Sequence, residues 1–302
     1  MTILQIYNIY INNRSSYCST ETIRKYRDDL KIFFRFLERH YKISVDKQGF
    51  HVLEQAPIYL DFIVDLRSTG IRDSSVRSYC RSCKAFLRFC YDNDFCIDYL
   101  KNVKMPKDDS AMQLPLYVDE VKRIDALFDR KTVLGIRNYC IFHLMLDCGL
   151  RRQEVIHLRV EHLDAGRNIL HIVNSKGGKS RFVLIPDFLI SAISEYHKML
   201  GVKNGVMFYS LRGKGPLTTE AVRMMFQNLK TSAELPRLHA HLLRHTFAAS
   251  YLIGGGNLEF LRVFMGHYDY ASTKTYVSMA AQLKILGAPV YELDSIFFKF
   301  GY

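Results

Sequence analysis

A hydrophobic run long enough to cross a membrane is missing from this sequence. None of its 302 residues lies in an uninterrupted apolar stretch of about 18 residues, the length expected of a transmembrane helix. The apolar start MTILQIYNIYINN also lacks the basic segment and the small-residue cleavage site of a signal peptide. We therefore expect neither membrane insertion nor export, and we predict a cytoplasmic protein.

Cysteines are few and odd in number, which argues against a disulfide framework. Seven cysteines in a chain of this size predict reduced thiols in a cytosolic compartment. Cys80 and Cys83 form a C-x-x-C pair followed by Cys90 and a fourth cysteine, and four thiolates can hold zinc. The second pair has the wrong spacing for a zinc ribbon or finger. Cys80, Cys83 and Cys90 share a helical face with Val76 and Leu87, so we predict that they pack in a core.

Motifs for nucleotide and metal binding are incomplete. The GGKS at 177–180 resembles the end of a P-loop, but Val173 stands where that motif requires glycine. His241 and His245 have the spacing of a helical zinc pair, yet Leu242 occupies the position of the zincin glutamate. Carboxylates are sparse near these histidines, so the ligand set of a metal nuclease is missing as well. We expect no metal and no cofactor, and any phosphodiester chemistry should need neither metal nor ATP.

Positive charge is abundant. The chain carries 42 Lys and Arg against 30 Asp and Glu, a formal net charge of +12, and its pI is near 9.3. Such an excess favours a polyanionic partner because Lys and Arg displace counterions from phosphates. The excess is present in both halves of the chain, so both are candidates for contact with that partner. A basic surface that only keeps the protein soluble is the alternative.

Helical periodicity dominates residues 1–105. It predicts helices at 19–41, about 53–68 and 73–91, with Ser19 or Thr20 as the cap of the first. Basic residues occupy the outer faces of the first and third of these helices: Arg24, Lys25, Arg27, Lys31, Arg35, Arg72, Arg77, Arg81, Lys84 and Arg88. This region is therefore predicted to be a small all-α domain with basic helices.

A second domain is predicted after a linker. Residues 106–115 break the periodicity with prolines, charges and small polar residues. The remainder, 116–302, alternates helices with two short β-runs around a Gly-Gly turn, which predicts a mostly helical α+β domain with a small antiparallel sheet. Helices are predicted at about 119–129, 135–147, after Gly149, and at 187–199, 219–231, 240–253, 257–264 and 271–280. The tail, about 282–302, is apolar enough to need a partner, either its own domain or a neighbouring protomer.

The stretch HAHLLRHTF places His241, Arg244 and His245 on adjacent helical turns. Like charges so close repel one another, so an anion is needed to receive them. Arginine binds two phosphate oxygens at once through its planar fork. Arg244, together with Arg151 at the predicted helix start in GLRR, is therefore a candidate for a phosphate clamp.

Three further side chains complete a set that can cleave a phosphodiester. Lys176 lies at the predicted hairpin tip, where it can protonate a leaving oxygen. Tyr276 is a candidate nucleophile, but a phenol with a pKa of about 10 is idle at neutral pH unless positive charge and a proton acceptor surround it. His241 and His267 are candidates for that task.

In these motifs the sequence resembles the tyrosine recombinase family, which includes the phage integrase and Xer-type enzymes. The family signature is matched by GLRRQEV, SKGGKSR, HLLRHTF, FMGHYD and a tyrosine nine residues after the last histidine. The matching residues are Arg151, Lys176, His241, Arg244, His267 and Tyr276. The resemblance covers roughly 110–280 closely, and 10–105 only as a SAM-like, core-binding helical domain.

The resemblance implies a site-specific DNA recombinase that works through a 3′-phosphotyrosyl intermediate. Tyr276 would be the nucleophile, Arg151 and Arg244 would stabilise the transition state, and Lys176 would serve the leaving group. His241 would take the tyrosine proton. The family assembles as a homo-tetramer on two double-stranded DNA sites and exchanges strands through a Holliday junction.

Alternatives remain at this level. The same residues fit a type IB topoisomerase-like enzyme that reseals one duplex, or a catalytically inactive DNA-binding protein of the same fold. Tyr268 and Tyr270 are rival nucleophiles, although the spacing favours Tyr276. The family pattern gives His245 and Arg152 no catalytic task, so both are interpreted as structural.

Overall fold

The computed structural model describes residues 1–106, 113–173, 180–211, 215–267 and 270–298. The chain divides into two units with separate hydrophobic cores, Met1–Ala111 and Met112–Tyr302. Across these described ranges, no helix combines the length and the apolar character that a bilayer crossing requires.

The first unit is helical. Its described residues form α1 (Ile3–Ser15), α2 (Thr20–Tyr41), α3 (Ile58–Ser68) and α4 (Asp73–Asp92). Ser19 caps α2, as predicted, because its hydroxyl accepts a hydrogen bond from the Thr22 amide. The basic side chains of α2, from Arg24 to Arg35, are exposed, and so are most of those on α4. The unit therefore presents basic side chains around an apolar, aromatic-rich core.

Two helices of the first unit, α1 and α3, differ from the sequence prediction. Helix α1 is not predicted by the sequence pattern, yet Thr2 and Gln5 form a capping box and Ile3, Ile6 and Tyr10 are buried. Helix α3 begins after Pro57, later than the predicted start near residue 53. Proline has no amide hydrogen to continue a helix, so the preceding residues form only a short 3-10 turn.

The cysteines of α4 belong to the core of the first unit. Cys80, Cys83 and Cys90 are buried on the same face as Val76 and Leu87, which confirms the predicted packing. Burial raises the pKa of the Cys80 thiol to about 11 because a thiolate would lose its hydration. All seven cysteines of the chain are free thiols.

The second unit combines helices with one small sheet. Its helices are α5 (Val118–Asp125), α6 (Val133–Leu146), α7 (Arg152–Ile156), α8 (Asp187–Leu200), α9 (Thr219–Ser232), α10 (Ala240–Ile253), α11 (Leu258–Met265) and α12 (Ala271–Ile285). Its strands are β1 (Leu163–Asp164), β2 (Ile169–Ile172) and β3 (Arg181–Leu184), in the order β1-β2-β3. The predicted fold class, mainly helical with a small antiparallel sheet, is confirmed.

The sheet places β3 beside the helices of the site. Strands β2 and β3 are antiparallel, with Ile169 opposite Leu184 and Ile172 opposite Arg181. The two-residue strand β1 is an addition to the predicted hairpin. The predicted Gly-Gly turn and Lys176 fall within 174–179, outside the described residues.

The tail packs on its own unit as far as residue 298. Phe297 is buried, and its ring meets Phe247 edge-on at a centroid distance of 5.5 Å. Phe298 stacks on Tyr251 at 5.7 Å. Of the two positions considered for the tail, this single chain shows the one on its own domain.

Candidate active site

A tight turn introduces the first arginine. Gly149 has a φ of +63°, which side-chain-bearing residues rarely adopt, and a Cβ added there would lie 2.6 Å from the Phe247 ring. The turn ends α6 and directs the chain into α7, with Arg151 as the residue before its first turn. Glycine is therefore required on two grounds, its backbone conformation and its close approach to α10.

Arg151 is fixed from two sides. Its backbone amide and its Nη1 donate to the Glu154 carboxylate at 2.8 and 2.9 Å. Its Nη2 donates to the Gly266 carbonyl at 3.1 Å, which ties α7 to the turn after α11. The side chain is 28% exposed, so the guanidinium can still reach an incoming anion.

Arg244 lies deeper. It is 2% exposed on α10, and its guanidinium donates to the carbonyls of Gly149 and Met265. Burial and the nearby Arg151 charge lower the pKa of Arg244 to about 9. That value is still above neutrality, so Arg244 keeps its charge, and two carbonyl dipoles hold it in place.

A buried ion pair, Glu154 with Arg181, supports the two arginines. Arg181 donates from Nη1 and Nη2 to the two oxygens of Glu154, at 2.8 and 2.9 Å. Burial alone would raise the pKa of Glu154, but the hydrogen bonds and charge of Arg181 lower it to about 2. The carboxylate is therefore ionised and shared between Arg151 and Arg181.

Glu154 and Arg181 are contact partners of the candidate residue Arg151 that the sequence pattern did not indicate. The spacing of Glu154, three residues after the residue that begins the helix, is a capping-box signal that could have drawn attention to it. Arg181 is a single arginine at the start of a strand, and nothing in its neighbourhood signals that it pairs with α7.

The candidate nucleophile lies between two histidine rings. Tyr276, on α12, is 5% exposed. The His245 ring lies 5.1 Å from the Tyr276 ring at an interplanar angle of 62°, and the His267 ring lies 6.3 Å from it at 13°. His241 contacts His245 at 4.6 Å, so three imidazoles and one phenol form a continuous row. His245 is thus in contact with the candidate nucleophile.

The histidines of α10 are largely uncharged at neutral pH. Burial and the neighbouring Arg244 charge lower the pKa of His241, although part of its side chain is exposed. Burial and His241 lower the pKa of His245 to about 4. The repulsion that the motif HAHLLRHTF suggests is thereby relieved, because only Arg244 keeps a full positive charge on this segment.

Tyr276 is protonated in this state. Burial raises the pKa of its phenol, although Arg244 and Arg151 both act to lower it. The two arginines therefore lie within electrostatic reach of the phenol. A neutral phenol beside the neutral His245 imidazole can transfer its proton to that ring when it attacks.

His267 is held by the start of α12. Its Nδ1 lies 2.9 Å from the buried hydroxyl of Thr273, and its carbonyl accepts a hydrogen bond from Arg262 at 3.1 Å. The Thr273 contact fixes the orientation of the imidazole ring beside Tyr276, and the Arg262 contact holds the backbone of His267.

Five of the six predicted site residues converge. Arg151, His241, Arg244, His267 and Tyr276 are connected by the contacts described above, although they span more than a hundred positions of the chain. The sixth, Lys176, lies outside the described residues, and so does the rival Tyr268. The other rival, Tyr270, is 48% exposed and donates its hydroxyl hydrogen to Glu259.

The arrangement suits an anion with a nucleophile beside it. Arg151 and Arg244 offer guanidinium groups to nonbridging oxygens, and Tyr276 is the phenol close to both. His245, whose pKa is lowered to about 4, adjoins that phenol. Together they supply charge stabilisation, a nucleophile and a proton acceptor, which are requirements for cleavage of a phosphodiester by nucleophilic attack.

Comparison with known proteins points to one family. Residues 115–282 match the phage integrase family. The chain is 28% identical over 291 residues to tyrosine recombinase XerC of Anoxybacillus flavithermus, across 90% of this chain and 91% of the relative. It is 25% identical over 287 residues to tyrosine recombinase XerD of Staphylococcus aureus (strain Mu50), across 92% and 94%.

Solved structures share the fold. The Tn1549 transposon integrase in complex with transposon right-end DNA superposes with a TM-score of 0.70 at 17% identity, over 95% of this chain and 100% of that one. The XerH recombinase in its post-cleavage complex with difH DNA gives 0.69 at 18% identity, over 95% and 84%. At these identities the similarity demonstrates a common architecture.

Proposed function

We propose, because this chain belongs to the phage integrase family of tyrosine recombinases, that it cuts and rejoins DNA strands through a covalent bond between Tyr276 and a 3′ phosphate. Family membership makes the chain a tyrosine-type site-specific recombinase, an enzyme that acts on DNA. The observation that carries the finer proposal is the position of Tyr276 within electrostatic reach of both Arg151 and Arg244.

The first step is an exchange of one phosphoester for another. The Tyr276 oxygen attacks the scissile phosphorus, the bond to the 5′ oxygen breaks, and the DNA leaves with a free 5′ hydroxyl. The number of phosphoester bonds is unchanged, so the step needs no ATP. Arg151 and Arg244 stabilise the charge that grows on the nonbridging oxygens.

Two protons move in this step. The phenol proton passes to the neutral histidine pair, in which His245 contacts Tyr276 and the more exposed His241 is the final acceptor. The leaving 5′ oxygen needs a proton, and Lys176 is assigned that role by the family pattern. His267, fixed by Thr273, orients the phosphate. Attack by a 5′ hydroxyl of a second duplex reverses the chemistry and exchanges the strands.

The first unit is proposed to be the core-binding domain, 1–105, joined by a linker at 106–115 to the catalytic domain, 116–302. Its support is the exposed basic side chains of α2 and α4, which can bind phosphates on the DNA backbone. The free thiols of all seven cysteines fit a reducing, cytosolic compartment.

We further propose that four protomers hold two DNA sites and pass through a Holliday junction. The support in this chain is a pair of exposed apolar side chains at the end of α12. Ile285 is 84% exposed and Leu286 is 77% exposed. Adjacent apolar side chains gain free energy when another surface covers them, so such a pair is a candidate contact. A neighbouring protomer that contacts Ile285 and Leu286 would bury both side chains, even though the tail packs on its own domain.

Covalent trapping tests the chemistry. A duplex selected by the protein from a random pool is prepared with nicks at successive positions, so that cleavage releases a short fragment and traps the enzyme. The wild type should form a protein–DNA adduct, Tyr276→Phe should form none, and the matched control Tyr270→Phe should behave as wild type. An adduct in Tyr276→Phe would disprove the assignment.

Two further outcomes separate the alternatives. A catalytically inactive DNA-binding protein of this fold would bind the duplex without an adduct in any nicked substrate. A type IB topoisomerase-like enzyme would form the adduct and relax a supercoiled plasmid, but a plasmid with two copies of the site would not recombine. We expect recombination.

A further inference from the structure

Arg181 is a buried charge that the mechanism described above does not use. It begins β3, and its side chain is 6% exposed. Its Nε donates to the Phe264 carbonyl at 2.7 Å, and its two Nη atoms donate to the two oxygens of Glu154. A strand, α7 and α11 are therefore connected by one guanidinium.

Glu154 is the group that both arginines share. From the described residues it accepts four hydrogen bonds, two from Arg181 and two from Arg151. If Arg181 were absent, the ionised carboxylate would pair with Arg151 alone. Arg151 would then offer an incoming phosphate little positive charge, because its own carboxylate neighbour would neutralise it.

The count of charges matches the reaction. Arg151, Arg181 and Arg244 against Glu154 give the described part of the site a net charge of +2. A phosphodiester carries one negative charge, and the transition state of attack on it by an oxyanion carries two. Fixed charges that match the transition state and not the ground state are the ones that accelerate a reaction.

We propose that Arg181 is a positioning residue that neutralises Glu154, so that Arg151 and Arg244 together present two uncompensated positive charges to the scissile phosphate. The proposal rests on the proposed function, since it assumes phosphodiester cleavage at Tyr276. Arg181 acts through Glu154 and Arg151 and does not itself touch the DNA.

A purely mechanical role is the competing explanation. Gly266 precedes His267, and a Cβ added at Gly266 would lie 3.0 Å from the Arg181 Nη1, so Arg181 also supports this turn. A brace and a counter-charge differ in one respect. Removal of Glu154 together with Arg181 breaks every brace contact between them but restores the net charge of +2.

The experiment compares Arg181→Met, Arg181→Lys and Arg181→Met/Glu154→Gln with the wild type, all in the full chain. The rate of adduct formation is measured on the nicked duplex with an ordinary scissile phosphate and with a methylphosphonate, which carries one negative charge less. The ratio of the two rates is the readout. Any fraction of unfolded protein cancels from it.

Arg181→Met should lose about 10²-fold or more on the phosphodiester, as for loss of one fixed transition-state charge, and much less on the methylphosphonate. Its rate ratio should therefore fall at least about tenfold, and Arg181→Lys should keep the ratio of the wild type. The double variant should recover both the ratio and most of the phosphodiester rate. If Arg181→Met does not fold, the phosphodiester rate of the folded double variant decides the question, because a counter-charge predicts that this rate is close to that of the wild type and a brace predicts that it stays at least about tenfold lower.

An equal loss on both substrates, or a double variant with a rate ratio as low as that of Arg181→Met, would overturn the proposal. So would an Arg181→Met enzyme as fast as wild type. If the wild type itself forms no adduct while it binds the duplex, the proposed function fails first. If the wild type forms the adduct and only the ratio test fails, the role of Arg181 alone is refuted.

Discussion

Gly149 is the residue on which the approach of Arg151 and Arg244 to each other depends. Its φ of +63° and the 2.6 Å distance from an added Cβ to Phe247 predict that Gly149→Ala costs about 2–5 kcal/mol, strain and overpacking together. Gly201 is a matched control, because its φ is +68° but an added Cβ meets nothing within 4 Å. Gly201→Ala should cost only about 1–2 kcal/mol.

Chemical denaturation and adduct formation measure both effects. Gly149→Ala should also slow adduct formation, since the Gly149 carbonyl holds Arg244, whereas Gly201→Ala should not. Equal destabilisation by the two substitutions would mean that the contact with Phe247 carries no energy.

We expect the histidines of α10 to set the acid limit of the proposed reaction. The pKa of His241 is lowered from the ordinary 6.5, and that of His245 lies at about 4, so both accept protons at neutral pH. The rate of adduct formation, measured with DNA below saturation from about pH 5 to pH 8, should therefore stay flat until the pH falls below 6.5. A midpoint above 6.5 would contradict the lowered pKa values, and a rate that rises as the pH falls would show that these histidines act in their charged form.

At this scale, residues with a recognisable task could be predicted and their supports could not. The spacing of HLLRH and GHYD indicates Arg244, His241 and His267 directly. Glu154 and Arg181 are joined by contacts across separate segments, which no local pattern records. The family pattern gives His245 no catalytic task, but its ring contacts Tyr276, because the path of α12 decides which neighbour of Arg244 meets the phenol.

At the scale of elements, a buried charged network joins α5, α6 and the segment after α12. His143 bonds Asp147 through Nδ1 at 2.7 Å and Asp125 through Nε2 at 2.9 Å, and Tyr291 donates to Asp147 at 2.9 Å. Burial lowers the pKa of His143, but the two carboxylates outweigh burial and raise it to about 9. The imidazolium therefore helps to hold these elements together.

This network predicts the direction of a pH dependence. Since the folded pKa of His143 is above the unfolded value of 6.5, its contribution is complete below pH 6.5 and is lost as the pH rises through about 9. The advantage of wild type over His143→Gln in the free energy of unfolding should shrink by about 3 kcal/mol between about pH 6 and pH 10. The exposed His157→Gln should change little at either pH. A constant difference for His143→Gln would refute the charged network.

Element boundaries followed local chemistry where that chemistry was strong. The periodicity of α2, α4 and α10 and the cap at Ser19 gave those helices nearly as observed. The sequence pattern does not predict helix α1, because the outward positions of this helix are mostly uncharged and its amphipathic pattern is therefore weak. Strand β1 has two residues and exists only through its pairing with β2, so it has no period to detect.

For the whole molecule, the exposed side chains of Ile285 and Leu286 at the end of α12 predict that several protomers assemble on DNA. Substitution of both Ile285 and Leu286 by serine should leave the free energy of unfolding within about 0.5 kcal/mol, because both side chains are already in water. It should preserve binding to a single site and reduce higher-order complexes on DNA with paired sites, as seen by light scattering. The control Leu134→Ser, at a position 50% exposed on α6, should assemble normally. Undiminished assembly of the double variant would remove this surface from the interface.

In the proposed reaction one phenol, that of Tyr276, lies within reach of two arginines and becomes bonded to DNA. Peptide mapping by mass spectrometry of the trapped wild-type adduct tests it most directly. We expect a phosphotyrosyl bond at Tyr276 to the 3′ end of the cleaved strand. A DNA fragment attached to any other residue, or a 5′ linkage, would contradict it.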